Sequence, residues 1–400
     1  MKIGLIAPGG FDRSGEERVV PVFLWLVERL ARSHEVHVYT LYQYLQPAEY
    51  TLLGARVHNI GYRRPRQRGV RQIRHVLPAL RRENRRGRFD VLHGLWANES
   101  GLIAGVAGRL WDLPSVVSVL GGELVGLPEI GYGAQLRLRS RLMVGATLRL
   151  ARAVTAASRF TLHRLQAYRP DARLIPLGVD TYRFSPPEAA PPSPPWRLLH
   201  VASLNRVKDQ PTLLRAFHAI HAAEPDTRLD VIGEDTLDGE IQRLARDLEI
   251  DSAVAFHGFR TSARVADCLR RSHLLLHSSR HEAGEMVTLE AAACGVPAIG
   301  TDVGHIADLA PEAAVTVPVG DYGALAWAAL ALLRDEASRK ALGQRALAFV
   351  RAHDADWTAA QFETLYAGLI HKNKGVNLGH PLPIADALPI PLREGDREVR

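Results

Sequence analysis

Short apolar runs that end in glycine alternate along this chain with longer stretches whose apolar positions recur at helical spacing. Lys2 to Ala7 is the first such run, and it leads into Pro8-Gly9-Gly10. Val19 to Arg32 carries an amphipathic helical pattern, and Glu35 to Tyr39 alternates faces as a second strand. Strand, glycine loop, helix and strand are the opening of a doubly wound α/β sheet. Phe89 to His93 and Ser115 to Leu120 continue it, the first running into Gly94 and the second into Gly121-Gly122-Glu123. Arg137 to Ala151 reads as a helix with arginines among its apolar positions, and Ala153 to Ser158 as a strand.

The alternation pauses at Ser185 to Pro195, where six of eleven residues are proline, and then restarts. Strands are predicted over Leu198–Ala202, Arg228–Ile232, Val254–His257, Leu274–His277, Ala298–Thr301 and Ala314–Val317. Helices are predicted over Gln210–Ala222, Tyr322–Leu333, Arg339–His353 and Trp357–Leu369. The chain thus divides into a first domain over 1–184, a linker over 185–195, a second domain over 196–355 and a last helix over 356–371. Residues 372–400 lose periodicity and read as a loose tail. Four hundred residues exceed one comfortable core, in keeping with two domains.

Candidate chemistry concentrates between Ser279 and Val303. Glu282 and Glu290 are separated by seven residues; Ala291-Ala292-Ala293-Cys294 favours a helix, and Gly295 and Pro297 stop it. The pattern is a loop, a helix of about three turns and a return to the sheet. The first N–H groups of a helix lack internal partners and favour an anion, so Gly284 to Val287 would face a diphosphate. Glu290, one turn inside, is placed to accept from vicinal hydroxyls such as a ribose. Glu282, in the loop, is placed to accept from hydroxyls attached beyond the phosphates. Together these describe a nucleotide-sugar site. Two glutamates at this spacing arise by chance in most proteins, so the surrounding string carries the specificity.

Composition narrows the alternatives. The longest apolar run, Val19 to Val27, contains Pro21 and is too short to span a bilayer, and Met1 to Gly10 reads as a buried strand rather than a signal peptide. Cys268 and Cys294 offer no disulfide framework and no metal spacing, so a cytoplasmic protein is expected. The net charge of +7 is uneven: residues 1–185 hold 28 Lys+Arg against 14 Asp+Glu, and the remainder holds 22 against 29. Arg63 to Arg88 contains eleven arginines and one acid, Glu83. A solvated face accounts for this most simply, and peripheral contact with an anionic membrane, at its inner face, is the next reading. Nucleic acid is not expected, since no aromatic residues are interleaved for stacking.

The string Glu282 to Glu290, Cys294-Gly295-Val296-Pro297 and Thr301-Asp302-Val303-Gly304 resembles the signature of family-4 (group 1) retaining glycosyltransferases. Gly9-Gly10 after the first strand and Ile175-Pro176-Leu177-Gly178-Val179-Asp180 resemble further segments of that family, so the likeness extends to about residue 370. It implies the GT-B fold, two facing doubly wound Rossmann-like domains with an interdomain cleft, and a last helix that crosses back to the first domain. It also implies transfer of a sugar from a UDP-, GDP- or ADP-sugar to a hydroxyl of a saccharide or lipid-linked acceptor, with retained configuration.

By that resemblance His93, Lys208 and Glu282 are the expected catalytic residues. Gly10, Ser203, Arg206, Lys208, Gly284, Glu285, Met286, Val287 and Glu290 are expected to bind the donor, and Gly9, Gly121, Gly122 and Glu123 to line the acceptor side. A lone histidine such as His93 is also commonly a structural hydrogen-bonding residue. Lys208, just before a predicted helix, suits a diphosphate as a point charge. The family commonly has an arginine at the Ser203 position, which leaves open whether Arg206 replaces it. The family also reads Glu-x-Phe-Gly where this chain has Glu282-Ala283-Gly284-Glu285, and Glu285 is expected to point toward the sugar or solvent. No cofactor or metal is expected: the sole Asp-x-Asp, Asp354-Ala355-Asp356, reads as a helix cap. The competing readings are a nucleotide-sugar epimerase of the same fold and a non-catalytic donor-binding subunit. A nicotinamide-dependent dehydrogenase lacks its glycine fingerprint.

Overall fold

A computed structural model describes residues 1–62, 72–189 and 191–373. The first sheet contains β1 (Lys2–Ala7), β2 (Glu35–Thr40), β3 (Ala48–Leu52), β4 (Ala55–Asn59), β5 (Val91–Leu95), β6 (Ser115–Val119), β7 (Ala153–Ala156) and β8 (Arg173–Leu174). Their order is β3-β4-β2-β1-β5-β6-β7-β8, and only the β3–β4 pair is antiparallel. The second sheet contains β9 (Trp196–Val201), β10 (Thr227–Ile232), β11 (Val254–Phe256), β12 (Leu274–His277), β13 (Ala298–Thr301) and β14 (Val315–Val317). It is parallel throughout, in the order β11-β10-β9-β12-β13-β14. Chain order reverses between β1 and β5 and between β9 and β12, and ligands of such sheets bind beyond the strand ends at these points.

Helices cover both faces of the central strands, which is why β1, β5, β6 and β12 are buried along their whole length and read as continuous apolar runs. The helix expected over Val19–Arg32 occupies Pro21–Leu30, because Pro21 pre-sets the backbone of the first turn and needs no N–H there. It buries Phe23, Trp25 and Leu26, each worth about 2–3 kcal/mol of apolar transfer. The β3–β4 hairpin was not anticipated from sequence. Its two-residue turn places Leu53 at φ 49° and Gly54 at φ 82°, as a type I′ turn requires, but a leucine there gives no turn signal.

The helix Ala355–Asn373 leaves the second sheet and packs on the first domain, burying Phe362, Leu365, Tyr366 and Leu369. Arg32 Nη1 reaches Asp356 Oδ1 at 3.0 Å, and His34 Nε2 lies 3.0 Å from Glu363 Oε1. At the helix start Asp354 Oδ1 accepts from Trp357 N at 2.9 Å, which makes it the cap. Gly178 N donates to Thr358 Oγ1 at 2.8 Å, and a Cβ at Gly178 would overlap the Asp354 backbone. The close passage of this helix therefore requires the glycine of the Ile-Pro-Leu-Gly-Val-Asp segment.

Residues 63–71 and 374–400 lie outside the described residues, so the arginine-rich stretch and the tail are each seen only in part. The remainder of the arginine-rich stretch forms the helix Ile73–Arg86, in which Glu83 is buried and accepts from Lys2 Nζ at 2.8 Å. Among the described residues, no helix is long and apolar enough to cross a membrane.

Candidate active site

The loops after β9 and β12 meet at the reversal point of the second sheet. Lys208, near the end of the first loop, donates from Nζ to Glu282 Oε1 at 2.5 Å. The same oxygen accepts from Ser279 Oγ at 2.6 Å and His277 Nε2 at 3.1 Å. Among the described residues no donor reaches Glu282 Oε2, which leaves that oxygen for a ligand. Burial alone would push the Glu282 carboxyl up, but the Lys208 ammonium and the His277 contact hold it well below the usual range. His277 is wholly buried at the end of β12, its Nδ1 meets no partner among the described residues, and its Nε2 faces the carboxylate. Sequence reasoning missed His277 and Ser279; their only signal is proximity to Glu282 at a strand end.

The helix after Glu282 spans Met286–Ala293, eight residues and so shorter than the three turns expected. Among the described residues, its first N–H groups, at Met286 and Val287, have no backbone acceptor, as helix geometry dictates. Glu290 projects from the next turn. It is 8% exposed, and no protein donor among the described residues reaches its carboxylate. Burial raises it to about 7. Two glutamates with equal burial therefore differ completely in charge support: Glu282 is surrounded by donors and Glu290 by none.

Glu285 departs from expectation. It faces neither the sugar position nor solvent, being 7% exposed. Its Oε1 accepts from Thr288 Oγ1 at 2.8 Å and Ile306 N at 3.0 Å, and its Oε2 from His305 N at 3.0 Å. It caps the first turn of the helix Gly304–Leu309. Gly304, at φ +58°, makes room for it, because a Cβ there would overlap Glu285 Oε2. The carboxylate is thus turned toward the amides of His305 and Ile306. Arg206 is exposed and lies 3.7 Å from Glu240, pairing away from Glu282, and Ser203 is exposed at the start of the same loop.

Two first-domain residues, His93 expected as catalytic and Glu123 expected on the acceptor side, are turned inward. His93 is not at a strand end but inside β5, 0% exposed, with Nδ1 2.7 Å from Tyr366 Oη and Nε2 2.8 Å from Ser118 Oγ. Burial lowers it to about 3, so it stays neutral and ties the sheet to the crossing helix. Glu123 is 6% exposed and accepts from the amides of Ala97, Leu120 and Gly121 at 3.1, 3.2 and 2.7 Å. It shapes the loop after β6 instead of facing the cleft. Gly10 N donates to Gln43 Oε1 at 2.7 Å, which fixes the Gly9-Gly10 turn after β1.

The two domains touch around the Glu282 loop. His281 Nε2 lies 3.5 Å from Gly121 O, the Tyr132 ring lies 6.0 Å from the His281 ring and packs on Gly122, and Ser158 Oγ and Thr161 Oγ1 both donate to Ala283 O, at 2.5 and 3.0 Å. Tyr132 and His281 were not anticipated from sequence. Among the described residues, the cluster able to hold a metal is Glu35, His37 and Glu83, in the first domain, where the Lys2 ammonium already lies 2.8 Å from Glu83 and 3.4 Å from Glu35.

Residues 183–349 match the family described as "Glycosyl transferases group 1", and residues 19–178 match the "Glycosyl transferase 4-like domain". The chain is 33% identical over 180 residues to an N-acetyl-alpha-D-glucosaminyl L-malate synthase from Bacillus anthracis, a match covering 44% of this chain and 46% of that protein. It is 28% identical over 337 residues to a D-inositol 3-phosphate glycosyltransferase from Pseudarthrobacter chlorophenolicus, covering 78% and 76%. Among solved structures, the sucrose-phosphate synthase from Thermosynechococcus elongatus superposes with TM-score 0.78 at 21% identity, over 93% of this chain and 100% of that one. Anabaena Alr3699/HepE in complex with UDP-glucose superposes with TM-score 0.70 at 17% identity, over 92% and 100%. These superpositions establish a shared two-domain GT-B fold.

Proposed function

From membership of the group 1 glycosyltransferases, whose two domains both occur in this chain, we propose that the protein transfers a sugar from a nucleoside-diphosphate sugar to an acceptor hydroxyl with retention of configuration and without a metal. The observation that carries this reading is Glu290: a buried carboxylate with no protein donor among the described residues, one turn beyond the open amides of Met286 and Val287. Vicinal ribose hydroxyls supply the missing donors, and the amides with Lys208 receive the diphosphate.

In the reaction the bond from the anomeric carbon to the diphosphate oxygen breaks. The acceptor oxygen bonds to the same face, and its proton passes to the departing phosphate oxygen. The positive charge that meets the leaving group comes from Lys208 and the helix amides, and Glu282 Oε2 accepts from the donor sugar. Lys208 and Glu282 are both in place, which favours a working enzyme over a donor-binding subunit. The acceptor is proposed only as a class, a saccharide, lipid-linked glycan or other glycoconjugate, because the relatives' names differ in this respect.

The test is a thermal-shift panel of UDP, GDP, ADP and their sugar conjugates, on the wild type and Glu290→Ala, with and without EDTA. One base is expected to shift the wild type selectively, the substitution to abolish the shift, and EDTA to leave it unchanged. No shift from any nucleotide far above ordinary affinities sinks the proposal.

A further inference from the structure

We propose that Ser158, Thr161 and Asp308 form a clasp between the two domains that positions Glu282 for the donor sugar. The clasp lies at the start of the helix Arg159–Gln166, which follows β7 in the first domain. Ser158 and Thr161 belong to that start, and Asp308 comes from the helix Gly304–Leu309 of the second domain.

Each domain grips the other. From the first domain, the Ser158 and Thr161 hydroxyls donate to the Ala283 carbonyl, and among the described residues no backbone N–H reaches it. From the second domain, Asp308 Oδ2 accepts from Arg159 N at 2.8 Å, and Oδ1 from Phe160 N at 3.2 Å. The first N–H groups of a helix lack partners within it and favour a carboxylate. Ser158 Oγ caps Thr161 N at 3.1 Å, and the two amides before it are left to the other domain. Asp308 is 9% exposed, and burial pushes its carboxyl up to about 6 against the pull of His305 and of these amides. Above that pH it is ionised, and both of its oxygens accept.

The residue on each side of Glu282 is thereby held from the first domain. Ala283 is held through its carbonyl, and the His281 ring lies 6.0 Å from that of Tyr132 and 5.8 Å from that of Phe160. Gly284 completes the fit: a Cβ there would stand 2.9 Å from Ala157 Cβ, so the first domain rests on bare backbone. By itself the second domain fixes Glu282 Oε1, through Lys208, His277 and Ser279. It leaves Oε2, the oxygen assigned to the sugar, to be aimed by the loop backbone, and the clasp sets that backbone. None of these contacts involves Glu290, so holding the nucleotide and aiming at the sugar are separable. The role at the sugar rests on the transferase reading above; the clasp itself does not.

The experiment is titration calorimetry of UDP and UDP-glucose, with the corresponding GDP and ADP pairs in parallel, and small-angle X-ray scattering of each ligand-free chain. It compares wild type, Thr161→Val/Asp308→Asn and Thr161→Ser, with far-UV circular dichroism verifying that each chain folds. The double variant is expected to bind nucleotide within about twofold of wild type and to lose about tenfold in affinity for the nucleotide sugar. Its radius of gyration is expected to rise as the domains part. Thr161→Ser keeps the hydroxyl and is expected to match wild type in both measurements. Three results overturn the proposal: unchanged affinity of the double variant for the nucleotide sugar, an equal loss for nucleotide and nucleotide sugar, or a Thr161→Ser chain as weak as the double variant. If wild type binds no nucleotide, the transferase reading falls and the role at the sugar falls with it. The scattering still judges the clasp, which an unchanged radius of gyration in the double variant overturns.

Discussion

In the second domain the polar groups at the ends of β9 and β12 converge on the cleft: Lys208 meets Glu282, and Glu290, a few residues on, has no partner among the described residues. In the first domain the comparable groups are spent internally, His93 on Tyr366 and Ser118, and Glu123 on three loop amides. The two sheets have the same doubly wound plan, yet one offers side chains to a ligand and the other offers mainly glycines and loop backbone. One half is built to recognise a fixed chemical group and the other to hold a shape that loops can vary.

The largest effect expected from this contrast is at Lys208. Replacing it with Met leaves the Glu282 carboxylate buried without its cation and should cost about 3 kcal/mol of stability in denaturant unfolding. A loss well below that would mean the ammonium does not support Glu282, and the contrast would fail at its centre.

Glu290 tests the other side of it. With its carboxyl raised from 4.5 to about 7, its contribution to stability is full below about pH 4.5 and is lost as pH rises through about 7. At 1.36 kcal/mol per unit, ligand-free wild type should lose up to about 3 kcal/mol relative to Glu290→Gln between pH 5 and 8. Parallel stability profiles for the two proteins would show that Glu290 has an unseen partner.

The smallest effect sharpens the first-domain side. His93→Phe should lower stability by about 1–3 kcal/mol, by orphaning Tyr366 Oη and leaving Ser118 Oγ with Thr155 Oγ1 alone, while leaving nucleotide-induced shifts unchanged. A variant of ordinary stability that no longer responds to nucleotide would return His93 to the site.

What was legible in the sequence follows from the range of the interactions involved. The positions of Lys208, Glu282 and Glu290 relative to strand and helix starts depend on local spacing, and Gly295 and Pro297 mark the helix end, so that part of the site could be read from residues near one another. The direction of Glu285 depends on the amides of His305 and Ile306, some twenty residues later, and no local pattern announces them. His93 illustrates the same limit: its partner Tyr366 lies on a helix 273 residues away. Strand cores were read from continuous apolar runs, whereas β3, half-exposed at the sheet edge, and β4 beside it, with Arg56, His58 and Asn59 among its five residues, carry no such run.

Glu285 fits only because residue 304 is glycine, so the carboxylate depends on the glycine and not the reverse. A side chain at 304 would collide with the carboxylate, and a shorter residue at 285 would leave two amides of the next helix uncapped. Gly304 already belongs to the segment that resembles the family's Thr-Asp-Val-Gly, so this chain departs from the Glu-x-Phe-Gly pattern at 285 without any change at 304. Any attempt to graft this loop onto a relative therefore has to keep glycine at 304 while 285 is varied.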